Sequence, residues 1–292
     1  MMTRRDFLRI ATIAASTAAT HQWLATALAG TELELELGVC SSIDKAGSLK
    51  KAGFQFIEGN VAKILMPRET DEAFAAELAK IKAAELPVRA CSGFIPSELK
   101  VVGPDAKPDE AVAYATKAIR RAPKAGVKRI VLGSGGARTI PEGFSRDKAR
   151  EQFVAFCKRL APVASDEDII VILEPLNKGE CNFINRVDEG MEIVDAVGHP
   201  GFQLHADIYH MMKENEGPES ILKAAKRIRH VHVATNPNRK PPGAEETDFR
   251  PYFKALKSIG YRDLISVECK WKNWDTELPQ AARVLRQQLS ES

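Results

Sequence analysis

A recurring phrase constrains this chain more than any other feature: a helical stretch closed by glycine, then a short apolar run. It stands as Lys51-Ala52-Gly53 before Phe54-Gln55-Phe56-Ile57-Glu58, as Lys124-Ala125-Gly126 before Val127 to Leu132, and as Ser258-Ile259-Gly260 before Leu264-Ile265-Ser266-Val267-Glu268. Glycine ends a helix at little cost because it takes the left-handed backbone conformation a helix C-terminus requires. The β-branched run that follows reads as a buried strand. Helix and strand in alternation imply a parallel sheet. Strands are predicted near residues 33–39, 54–58, 87–91, 128–133, 168–174, 201–207, 229–234 and 263–268. Helices are predicted over Asp109 to Arg121, Asp147 to Ala164, Val187 to Ala196 and from near Glu277 to Leu289. No Ser/Gly-rich linker divides the series, so the α/β pattern predicts a single (β/α)8 TIM barrel over residues 30–292. A doubly wound open sheet would want a glycine-rich fingerprint after the first strand, and Gly38-Val39-Cys40-Ser41 is not one.

The first 29 residues read differently. Thr3-Arg4-Arg5-Asp6-Phe7-Leu8-Arg9 precedes an alanine-rich, weakly apolar stretch from Ile10 to Leu28, and Ala27-Leu28-Ala29 offers small residues where a signal peptidase reads. The pattern resembles a twin-arginine signal peptide, which implies the twin-arginine translocation machinery as a partner and a periplasmic or otherwise exported protein. A membrane anchor would need roughly 20 strongly apolar residues, and His21 and Gln22 interrupt this stretch. Three arginines against Asp6 account for most of the +3 formal charge, so the remainder is near neutral and no nucleic-acid partner is expected. Cys40, Cys91, Cys157, Cys181 and Cys269 form no CxxC pair, and buried free thiols are the expected reading for most of them.

Barrel enzymes carry their chemistry at the C-terminal ends of strands. The last four predicted strands each place a candidate ligand at or near that end: Glu174 after Val171-Ile172-Leu173, Asp207 after Leu204-His205-Ala206, His232 in His230-Val231-His232, and Glu268 after Ser266-Val267. A carboxylate that follows such an apolar run is costly to desolvate unless paired or metal-bound. Three carboxylates and one imidazole at one level repel unless a cation sits among them, so Glu174, Asp207, His232 and Glu268 are the expected ligands of one divalent metal ion. Oxygen donors with a single nitrogen suit Mn2+, Co2+, Mg2+ or Zn2+. A salt-bridge network around the barrel mouth is the duller alternative, but matching cations at the strand ends are scarce. The first four strands offer Glu58, Cys91 and Ser134 at their ends without a diagnostic pattern. His205 and His230 are expected to be core histidines, and the glycines of Gly133-Ser134-Gly135-Gly136 to serve a tight turn rather than a phosphate. Trp271 and Trp274, just past Glu268, are expected to wall the pocket or cover the barrel rim.

These motifs resemble the xylose-isomerase-like barrel superfamily, within it the sugar isomerase and ketose 3-epimerase branch. The resemblance rests on Leu173-Glu174-Pro175-Leu176-Asn177 with Glu180, on Asp207-Ile208-Tyr209-His210-Met211, on His230-Val231-His232 followed by Asn238-Arg239 and Pro241-Pro242-Gly243, and on Glu268. It covers residues from about 33 to 290 and is dense only in the second half. It implies that the four ligands hold the metal, and that Glu180, His210 and Arg239 contact a small carbohydrate. It is compatible with a homo-oligomer, since such barrels often dimerise or tetramerise. The chain departs from the epimerase pattern in a segment from His232 to Arg239 that is one residue longer and in Thr235, where those enzymes usually carry Glu. Both departures bear on sugar identity more than on the metal.

The expected function is a metal-dependent isomerase or epimerase of a free sugar or keto-sugar derivative. Glu174 and Glu268 are expected to be catalytic, passing a proton through an enediolate intermediate. A lyase or hydratase on oxidised sugars such as 3-keto-glycosides would use the same metal site. A phosphodiesterase would want more ligands and a basic face, and a non-catalytic sugar-binding protein would have no need of Glu174 and Glu268.

Overall fold

A computed structural model describes residues 35–292; the proposed signal peptide lies outside them. Eight strands run β1 Leu37–Cys40, β2 Phe56–Asn60, β3 Val88–Ser92, β4 Arg129–Leu132, β5 Ile170–Leu173, β6 Phe202–Asp207, β7 Ile228–Val233 and β8 Leu264–Val267. All pairs are parallel, and β1 pairs with β8, so the sheet closes in sequence order. Closure removes both sheet edges, and helices after the strands cover the outside.

The glycine punctuation works as expected. Gly53, Gly126 and Gly260 have φ of 93°, 81° and 68°. In each case the next residue reaches back five positions to close the helix: Phe54 N–H donates to the Leu49 carbonyl, Val127 to Ala122 and Tyr261 to Leu256, at 3.0 Å each. This turn consumes the residue after each glycine, and the strands begin two or three residues later. The shift matters most in β2. It starts at Phe56 rather than residue 54 and continues to Asn60, so Glu58 is not its last residue but lies within the strand.

Strand side chains alternate between the barrel interior and the helix layer. On β6 and β7 the register sets His205 opposite His230 and Asp207 opposite His232. The intervening Ala206, Val231 and Val233 are fully buried. Phe56 fills the interior beside β1, where any side chain at Gly38 would collide with its ring.

A buried arginine ties β4 to β5 at the rim. Arg138 is 0% exposed; its Nε donates to the Gly133 carbonyl at 2.8 Å and its Nη2 to the Glu174 carbonyl at 2.7 Å. Burial pulls its pKa down, against the pull of Cys181 and Glu174 nearby. Arg138→Ala would leave both carbonyls unpaired and a cavity behind them. It is expected to cost roughly 2–5 kcal/mol of unfolding free energy in a urea titration.

Candidate active site

Glu174 and Glu268 each continue a strand ladder: Glu174 N–H donates to the Leu132 carbonyl and Glu268 N–H to that of Val233, both at 3.2 Å. Asp207 ends β6 and caps the helix Ile208–Lys213, its Oδ1 accepting from Tyr209 N–H at 2.8 Å and His210 N–H at 3.2 Å. That leaves Oδ2 for the barrel mouth. One donor atom from each of Glu174, Asp207, His232 and Glu268 lies within 4.8 Å of the others.

These donors face one another without satisfying one another. His232 Nδ1 is 3.5 Å from Glu174 Oε1 and 3.2 Å from Glu268 Oε2. Yet Glu174 Oε1, Asp207 Oδ2 and His232 Nδ1 are buried with no hydrogen-bond partner. Buried polar atoms are nearly always paired, so three orphaned lone pairs converging on one point fit a divalent cation. The donor chemistry, oxygen-rich with one nitrogen, agrees.

The electrostatics separate the two glutamates. Burial raises the Glu174 pKa, the Glu268 charge adds to it, and His232 offsets only part. Burial works on Glu268 in the same direction, but its carboxyl is nevertheless pulled down, with the Arg239 guanidinium bonded to its Oε2.

Glu180, His210 and Arg239 converge on the same mouth. His210 is buried, and its Nδ1 accepts from the Asn177 side-chain amide at 2.8 Å and from the Asn177 N–H at 3.3 Å. The ring proton therefore sits on Nε2, which lies 3.5 Å from Asp207 Oδ2 without a hydrogen bond of its own. It is a donor aimed into the site. Arg239 donates to Glu268 Oε2 at 2.5 Å and to Glu180 Oε1 at 2.9 Å, and its guanidinium lies over the Tyr209 ring at 4.9 Å. Glu180 is half-exposed and also accepts from Asn177 at 3.0 Å.

Thr235, at the position that departs from the epimerase pattern, is bonded within its own loop. It is fully buried, and its hydroxyl donates to Glu245 Oε2 at 2.8 Å while accepting from Lys240 N–H at 3.1 Å. Glu245 also takes a hydrogen bond from Asn238 at 2.5 Å, so the loop that carries Arg239 is stapled from within.

A model of the xylose isomerase-like TIM barrel family matches residues 47–288. An L-ribulose 3-epimerase of Methylomonas is 33% identical over 226 residues, covering 75% of this chain and 74% of that protein. The chain belongs to the xylose isomerase-like TIM barrel family. A hydroxypyruvate isomerase of Escherichia coli is 29% identical over 156 residues, 52% of this chain and 59% of that one. A solved D-allulose 3-epimerase of Methylomonas superposes with a TM-score of 0.73 at 27% identity, covering 88% of this chain and 98% of that structure.

Three residues of this family member's site escaped the sequence reading as functional groups: Glu58, Asn177 and Arg138. Glu58 follows Phe56-Ile57 as Glu174 follows Ile172-Leu173, so the same desolvation signal applied to it. Asn177 and Arg138 act on groups 33 and 36 residues away, which no local pattern marks. The glycines after β4 prove to be clearance: a Cβ on Gly133 would stand 2.2 Å from Glu174 Oε2. Gly133→Ala should therefore displace that carboxylate without altering a ligand. Its expected signature is a metal affinity weakened about tenfold in a chelator competition, with the thermal midpoint of the metal-free protein little changed. The tryptophans lie at the rim, packed edge-to-face at 4.9 Å, with Trp274 Nε1 donating to Ser48 Oγ at 3.0 Å. The five cysteines are free, though β1 and β8 are neighbours.

Proposed function

We propose that this chain is a divalent-metal-dependent epimerase or isomerase of a free sugar or keto-sugar derivative, working through an enediolate. The observation that carries the reading is the convergence of orphaned Glu174, Asp207 and His232 atoms beside Glu268. Its likeness to an L-ribulose 3-epimerase and a hydroxypyruvate isomerase supports the reaction class. Export outside the cytoplasm belongs to the same proposal and rests on Arg4-Arg5 and the stretch after them.

A divalent cation held by these four residues would supply positive charge to substrate oxygen and so acidify the C–H beside the carbonyl. Glu174 and Glu268 follow β5 and β8, with β6 and β7 between them in the ring. A sugar lying between the two can lose a proton to one carboxylate. The C–H pair becomes the carbon–carbon double bond, and the carbonyl π pair moves onto oxygen. The other glutamate, in its protonated form, gives its proton to the opposite face and is left as carboxylate, inverting that carbon; delivery to the neighbouring carbon, with the hydroxyl proton passing between the two oxygens, gives isomerisation instead. His210 Nε2–H and Arg239 can donate to substrate oxygens and share the charge that develops on them.

The test is incubation of Mn2+- or Co2+-loaded protein with free ketopentoses, ketohexoses and hydroxypyruvate in D2O, followed by NMR. Deuterium should enter at the carbon beside the carbonyl as a new isomer appears. No exchange with any of these sugars would overturn the proposal, and release of an aglycone from a 3-keto-glycoside would replace it with a lyase.

A further inference from the structure

Glu58 supplies none of the four donors, yet it is one of the most deeply buried charged groups in the described barrel. It lies in β2 at 1% exposure, and its carboxylate meets two imidazoles of β7. His230 Nε2 is 2.7 Å from Oε2, and His232 Nε2 is 3.0 Å from both oxygens. Both oxygens of this carboxyl are thus taken up by imidazole nitrogens. A carboxyl is a stronger acid than an imidazolium, and a carboxylate only accepts hydrogen bonds, so in these contacts each imidazole presents an N–H at Nε2. On His232 this leaves the Nδ1 lone pair free, and Nδ1 is the atom that faces Glu174 and Glu268.

We propose that Glu58 is a positioning residue that fixes His232 as the Nε2–H tautomer and so aims its Nδ1 lone pair at the cation. The inference rests on the metal-site reading above. A carboxylate behind a metal-binding histidine orients the ring and raises its basicity. Here that carboxylate comes from the first half of the barrel, whereas the donors all come from β5 to β8. It also decides a competing arrangement. His205, His230 and His232 bring their ring nitrogens close enough to hold a cation of their own. Such a site would need a nitrogen of His232, and Nε2 is engaged by Glu58 while Nδ1 belongs to the four-donor cluster.

The test uses the full chain with 15N-labelled histidine, loaded with Zn2+ as a diamagnetic probe. Long-range 1H–15N spectra should show His232 protonated at Nε2 and metal-bound at Nδ1. Metal on Nε2, or a proton on Nδ1 of the loaded protein, overturns the proposal, as does a second equivalent of Zn2+ bound by the imidazoles. Glu58→Gln keeps the shape but places an amide N–H where an acceptor is needed. Its Zn2+ affinity should weaken 10- to 100-fold in a chelator competition, with the His232 resonances moving toward the other tautomer. Unchanged affinity and tautomer in a folded variant overturn the proposal; should Glu58→Gln not fold, the wild-type spectrum decides. A wild-type chain that binds no metal overturns the site reading itself, whereas one equivalent bound through the wrong nitrogen overturns only the role of Glu58.

Discussion

Glu268→Gln is expected to slow deuterium incorporation into substrate by about 10²- to 10⁴-fold, the span a positioned acid–base group supplies. The substitution keeps an oxygen that can still reach the cation and the Arg239 guanidinium, so metal content should stay near one equivalent. Proton transfer is what it removes, because an amide cannot accept the C–H proton. The result that would sink the assignment is exchange within tenfold of wild type at full metal occupancy. Loss of metal together with activity would instead make Glu268 chiefly a ligand. Glu268 is the group at stake because it stands at the mouth as a carboxylate bonded to Arg239, and a carboxylate has the lone pair that a proton acceptor needs.

Asp207→Ala should remove bound metal altogether, read as a fall from about one equivalent to none by elemental analysis. Its two oxygens divide their work: Oδ1 caps the helix Ile208–Lys213, and Oδ2 is buried and orphaned at the mouth. Alanine loses both, and the lost cap is expected to cost about 1 kcal/mol of stability. Asp207→Asn separates the two roles. It can still cap through its carbonyl oxygen but then turns an NH2 in place of Oδ2 to the mouth, so it should lose metal while keeping most of the stability that alanine forfeits. Full metal occupancy in the alanine variant would refute the ligand set. Equal stability of the two variants would refute the cap.

Sequence alone carried much of this protein. The alternation of glycine-closed helices and β-branched runs needs no partner segment to be recognised, because helix periodicity and strand burial are local. Eight such units specify the barrel, and the barrel places strand ends at one mouth. Glu174, Asp207, His232 and Glu268 could therefore be named from position and residue type. The strand starts were less legible: the turn after each glycine consumes the next residue, so β2 runs deeper than its apolar pattern implies and carries Glu58 into the interior. Thr235 could be marked as a departure, but its bond to Glu245 needs the loop to fold back on itself.

What only the tertiary structure decided is how the named groups are held. Glu58 meets His230 and His232 across 172 and 174 residues of chain, a contact that exists because β8 closes on β1. Asn177 sets the His210 proton, and Arg138 clamps the carbonyl of Glu174, through similar non-local bonds. Composition and periodicity report which side chains are buried. Which nitrogen of an imidazole carries its proton depends on what lies within about 3 Å of it, and that distance is set by closure of the whole barrel.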